Sequence, residues 1–195
     1  MDIVSTQQKK MHPHKFMMWV AMASIIMMFA GLTSAYMVKS SAANWEEVET
    51  PQLFIYSTIA LLCSSLTIQM ALRAFKQRNM SQYRMLIVGT AVLGIVFVVL
   101  QWLGFQWMWS HGVTFKGAGQ GQFLYIIAGL HGLHVVGGII ALVIMVLKAF
   151  FSKRRTYNST PAEVVASYWH FVDLLWLYLL VFFILLEGSV YSSAS

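Results

Sequence analysis

Charge is scarce in this 195-residue chain, where Asp, Glu, Lys and Arg together make up 10% of the residues. An average soluble domain carries about 25%. A protein so poor in charge cannot cover a globular surface for water, and a mean hydropathy of +0.67 makes lipid its solvent. Cysteine is nearly missing as well. The single Cys63 excludes a disulfide framework, a cysteine-ligated zinc site and an iron–sulfur cluster. In its apolar setting it reads as a small, inert hydrophobe. Period-2 alternation is absent, which rules out a membrane barrel. There is no P-loop, nucleophile elbow or paired-carboxylate constellation, and no internal repeat or low-complexity tract.

What the chain does hold is apolar length, with 58% hydrophobic residues. Five runs, over 16–38, 53–72, 85–107, 123–147 and 164–186, each reach the roughly 20 residues needed to cross a bilayer. Polar stretches over 39–52, 73–84, 108–122 and 148–163 separate them. Thr50-Pro51 and Thr160-Pro161 suit helix starts, with threonine as cap and proline in the first turn. The prediction is an all-α, polytopic membrane protein, a five-transmembrane-helix bundle over residues 16–188. A leader over 1–15, retained rather than cleaved, would precede it, and a short external tail over 189–195 would follow.

Lys and Arg near the segment ends set the orientation. Eleven of the thirteen fall in the leader and the second and fourth connections, leaving only Lys39 and Lys116 on the other side. The N-terminus is therefore expected in the cytoplasm and the C-terminus outside. The net charge of +6 thus belongs to a membrane surface, and nucleic acid is excluded as a partner.

Ionisable groups inside a spanning helix are functional hypotheses by default. The first three segments carry few polar residues, chiefly Ser24, Cys63, Gln69 and Gln101, whereas the last two hold His131, His134, His170 and Asp173. At about 1.5 Å per residue, His134 and Asp173 lie roughly 18 and 15 Å from the nearer segment ends, both near the midplane. Antiparallel segments could bring those two together. His131 and His134 share a face, as do His170 and Asp173. Several readings are open: metal or haem ligation, with His134 and His170 as a haem pair; polar pairing that fixes the packing through Asp173, a serine or a carbonyl; and lipid or proton handling. Small residues at Ala128, Gly129, Gly132, Gly137 and Gly138 are expected to let another backbone approach. Trp102, Trp107 and Trp109 on one side, with Tyr168 and Trp169 on the other, read as interfacial belts.

His131-Gly132-Leu133-His134-Val135 and the later run from Tyr168 to Tyr178, with Glu163 before it and Glu187-Gly188 after it, resemble subunit III of the haem–copper terminal oxidases. A looser likeness covers Trp19 to Tyr36, with Phe29, Gly31 and Leu32 in place. The resemblance spans the whole membrane portion and points to the short, five-helix bacterial form. It implies a subunit of a respiratory complex in the bacterial plasma membrane that reduces oxygen to water and pumps protons, with cytochrome c as the expected donor and quinol as the alternative. It further implies that this chain holds no haem or copper, those residing in partner subunits. The implied partners are the catalytic subunit I, subunit II and phospholipids, with room for a respiratory supercomplex. By motif position, His131, His134, Glu163, His170 and Asp173 become a structural polar cluster or lipid contacts, with no catalytic residue. The family often has a membrane glutamate in its first common helix, near Ile25; here the run is Ala23-Ser24-Ile25-Ile26, so that carboxylate is missing. From another class, a small transporter with a midplane site at His134 and Asp173 would require repeated halves or broken helices, and neither is evident.

Overall fold

The computed structural model describes residues 13–40, 53–111, 120–151 and 160–191. They form α1 (Pro13–Ser40), α2 (Leu53–Lys76), α3 (Met80–Ser110), α4 (Gln120–Phe151) and α5 (Thr160–Tyr191). All five are long and apolar enough to cross a membrane, so the all-α, five-helix prediction holds. In hydrocarbon each backbone N–H and C=O needs a partner within its own segment, which leaves an apolar run of this length little choice but helix.

The helices overrun the apolar segments at their ends. The connection expected over 73–84 shrinks to a turn over 77–79, because α2 continues to Lys76 and α3 begins at Met80. Arg78 takes the left-handed conformation (φ 61°) that reverses the chain. Asn79 then caps α3, its side chain accepting from the Gln82 N–H at 3.4 Å. Pro13 opens α1, where a missing N–H costs nothing. Thr160 and Pro161 open α5 as their order predicts; the Thr50-Pro51 pair lies outside the described residues.

Packing makes a ring of four with one helix outside. The pairs α2–α3, α3–α4, α4–α5 and α5–α2 close the ring, while α1 packs only on α4 and α5. Lipid tails are as apolar as leucine, so the interfaces rely on close van der Waals fit and on hydrogen bonds. Rings supply much of the fit. Trp176 sits edge-on to Phe54 at 5.7 Å and to Phe97 at 5.5 Å, and Tyr36 of α1 meets Phe182 at 5.3 Å.

Two expectations change here. Trp169 is no belt residue: it is 1% exposed, wedged between Gly94 of α3 and Gly138 of α4. A Cβ on those glycines would stand 2.8 and 3.0 Å from its ring. The close approach made by small residues is therefore ring against backbone, at Gly138 and Gly94. Gly129 and Gly132 have open space where a Cβ would go, and at Gly137 the nearest atom is the Tyr168 hydroxyl at 4.0 Å. Trp102, Trp107 and Trp109 stay exposed near the end of α3, where a belt would lie.

Candidate functional site

The polar chemistry of the bundle begins on α2. Ser57, Thr58, Ser64 and Ser65 recur seven residues apart, two helical turns, and so line one face. Three of their hydroxyls donate backward to carbonyls of their own helix: Ser57 and Thr58 to Phe54 O, and Ser64 to Leu61 O. That habit leaves their oxygens free to accept from a neighbour. Trp176 Nε1 donates to Thr58 Oγ1 at 2.9 Å and Trp169 Nε1 to Ser64 Oγ at 3.0 Å. Gln101 Nε2 of α3 donates to Ser57 Oγ at 2.9 Å, and Thr67 pairs with Thr90 of α3 at 2.9 Å. The row does not stand out in the sequence, because serine and threonine are only mildly polar and α2 stays apolar enough to span a membrane. The seven-residue spacing was the available signal.

The four midplane groups do not form one cluster. His131 turns into the ring, 1% exposed, with its imidazole 5.1 Å from Trp176 and edge-on to Phe97 at 6.1 Å; neither of its nitrogens has a hydrogen-bond partner. His134 turns outward to α1, edge-on to Phe29 at 5.9 Å. Its Nδ1 meets Leu130 O of its own helix at 2.7 Å, so Nδ1 carries the proton, and the Tyr168 hydroxyl donates to the His134 carbonyl at 3.1 Å. His170 faces α2, with Nδ1 2.7 Å from Ser65 Oγ and Nε2 3.4 Å from Gln69 Oε1. Asp173 is 3% exposed, and both carboxyl oxygens lack a hydrogen-bond partner. Ser65 stands beside it outside bonding geometry. The three histidines therefore address three different interfaces, and neither His134 nor any other histidine bonds Asp173.

Glu163 lies in the first turn of α5. It pairs with Lys15 of α1 at 2.7 Å and Lys76 of α2 at 3.1 Å. One carboxylate thus clasps the start of α1, the end of α2 and the start of α5. Nearby, Arg84 Nε donates to the Ala149 carbonyl at 2.8 Å and its guanidinium lies 5.3 Å over the Phe150 ring, which ties α3 to the end of α4.

A metal needs three or four converging donors. Among the described residues no group of three His, Cys, Asp or Glu side chains is placed to hold one. His134 and His170 diverge toward α1 and α2, so they do not flank a common plane as a haem pair would. A cavity of about 10 Å³ between α2, α3, α4 and α5 is apolar, walled by Ile68, Ala71, Tyr83, Leu142 and Ala166.

A family profile described as cytochrome c oxidase subunit III matches residues 7–187. A probable cytochrome c oxidase subunit 3 of Mycobacterium tuberculosis is 34% identical over 173 residues, covering 85% of both chains. The cytochrome c oxidase subunit 3 of Corynebacterium diphtheriae is 32% identical over 177 residues, again 85% of each. A probable quinol oxidase subunit 3 of Staphylococcus haemolyticus is 27% identical over 187 residues, covering 92% of this chain and 91% of its own length.

Proposed function

The chain belongs to the cytochrome c oxidase subunit III family, and on that premise we propose that it is a cofactor-free subunit packed beside the catalytic subunit of a proton-pumping haem–copper oxidase. On this reading haem and copper reside in subunits I and II. This chain supports the stability of the complex and proton uptake while oxygen is reduced to water. The observation that supports the cofactor-free part is the divergence of His131, His134 and His170 to three interfaces, which leaves no convergent ligand set among the described residues. These residues, with Glu163, hold helices together or meet lipid, and none of them, nor Asp173, is assigned to the reduction of oxygen. Phospholipids cover the apolar faces that the bundle leaves bare.

Cytochrome c is the favoured donor, because the mycobacterial and corynebacterial relatives named for it are more similar than the staphylococcal one named for quinol. Quinol is the second reading. The bacterial plasma membrane, with the N-terminus in the cytoplasm, is supported by the charge bias and by the Lys15–Glu163–Lys76 clasp, which gathers basic residues at one end of the bundle. Purification through a tag on this chain tests the whole reading. Co-purified haem-bearing subunits that oxidise cytochrome c are expected; haem that stays with the chain stripped of its partners would refute it. Oxidation of quinol without cytochrome c would select the second reading.

A further inference from the structure

Asp173 is a buried acid with no visible counterpart. It is the one Asp or Glu within the apolar parts of the five helices, and the stretches 16–38, 53–72, 85–110, 122–147 and 164–185 contain no Lys or Arg to neutralise it. Its own helix offers His170, one turn away. From α2 the polar neighbour is Ser65, the ionisable residues of that segment being only Tyr56 and Cys63. The stretch of α3 from Met85 to Ser110 offers none. Within its apolar run α4 offers Tyr125, His131 and His134, of which His131 packs on Trp176, one turn from Asp173. An ionised carboxylate with no cation and no hydrogen bond is among the most costly groups a membrane bundle can hold.

The polarity of the adjacent hydrogen bonds resolves the conflict. Gln69 Oε1 can only accept, so His170 Nε2, 3.4 Å away, is the donor. In the neutral imidazole that makes Nδ1 an acceptor, and the Ser65 hydroxyl 2.7 Å from it must donate. Ser65 Oγ is left with open lone pairs beside Asp173, and a carboxyl can serve them only if it carries a proton.

We propose that Asp173 is a proton-binding site: the carboxyl is protonated in the folded protein and exchanges its proton with the exposed α2/α5 face through Ser65 and His170. A rotation of the carboxyl brings its O–H onto Ser65 Oγ. The serine proton passes to His170 Nδ1 as the Nε2 proton leaves past Gln69, which is exposed, to a water molecule, and the carboxylate left behind takes a proton from water by the same steps in reverse. One proton leaves for each that enters, no electrons move, and reorientation of the hydroxyl and the ring resets the row. The inference requires only that the bundle be membrane-embedded.

Infrared difference spectra test it, taken at neutral pH on protein purified from membranes with whatever subunits accompany it. Wild type minus Asp173→Asn is expected to reveal a protonated-carboxyl stretch that shifts downward in deuterated water. Ser65→Ala and His170→Phe are each expected to slow its hydrogen–deuterium exchange roughly tenfold, the effect of removing one hydrogen-bonding step. A lost band belonging to an ionised carboxylate, or exchange unchanged in both relay variants, would overturn the proposal. If Asp173→Asn does not fold, Ser65→Ala decides. It keeps the carboxyl and should raise the stretch by removing its acceptor, and an unmoved spectrum overturns the idea. Absence of oxidase subunits from the sample would count against the oxidase reading alone.

Discussion

Replacing Gly94 by alanine should destabilise the bundle, and the reason is local. The new Cβ would stand 2.8 Å from Trp169 Cη2, 3.1 Å from Cζ2 and 3.3 Å from Ile139 Cγ1. Carbon atoms prefer a separation of about 3.5–4.0 Å, so the indole would have to retreat by roughly 0.7 Å. It has nowhere to go. On its other side a Cβ on Gly138 would already be 3.0 Å from Cε3 and Cζ3, and the Nε1 bond to Ser64 pins the ring along α2. Overpacking of this kind costs about 1–3 kcal/mol. The helix preference of alanine over glycine returns about 1 kcal/mol, leaving a net loss of up to about 2 kcal/mol. Gly132→Ala supplies the control, since nothing lies within 4 Å of its Cβ position; it should be neutral or stabilising by up to about 1 kcal/mol. Trp169→Phe shortens the ring, so the double variant with Gly94→Ala should fall short of additivity by about 1 kcal/mol. Thermal unfolding in detergent, followed by circular dichroism, measures all four proteins. Equal stability of Gly94→Ala and Gly132→Ala, or simple additivity with Trp169→Phe, would refute the wedge.

Three further outcomes follow from the bonds between helices. Glu163→Gln should cost only about 0.5–1 kcal/mol, because the partners are partly solvent-exposed; the gap from wild type should close at high salt, as melting curves at two ionic strengths would show. Thr33 of α1 and Tyr178 of α5 share a hydrogen bond of 3.0 Å. Thr33→Val and Tyr178→Phe should each cost about 0.5–1 kcal/mol, and together little more than either alone in a double-mutant cycle. Trp176→Phe frees Thr58 Oγ1 of its donor and thins the packing around His131, so a loss of about 2–3 kcal/mol is expected. Denaturant titration that finds Trp176→Phe no worse than a change at the exposed Trp102 would contradict that placement.

Much of the architecture is legible in the sequence alone. Apolar runs of bilayer length mark the five helices, and Thr160-Pro161 marks the start of α5, since both signals are local. Other features were illegible for an equally physical reason. Trp169 and Trp102 are the same residue type near segment ends, yet one is wedged between two glycines and the other faces outward. Only the neighbours of each helix decide that. The glycine-rich stretch of α4 was visible as composition, but which glycine meets a ring depends on the rotation of α4 against α5.

The amino-acid sequence by itself determined the solvent, the number of spans, the sidedness of charge and the motifs that mark the family. These rest on hydropathy and residue order, which do not depend on what packs against what. Tertiary structure alone decided the fate of the polar groups. A step of three residues turns a helix by about 300°, leaving neighbours such as His131 and His134 roughly 60° apart, enough for one to enter the ring and the other to meet α1. The antiparallel register of α2 and α5 then set His170 on Ser65, the two tryptophans on Thr58 and Ser64, and Asp173 beside Ser65 without a hydrogen-bond partner.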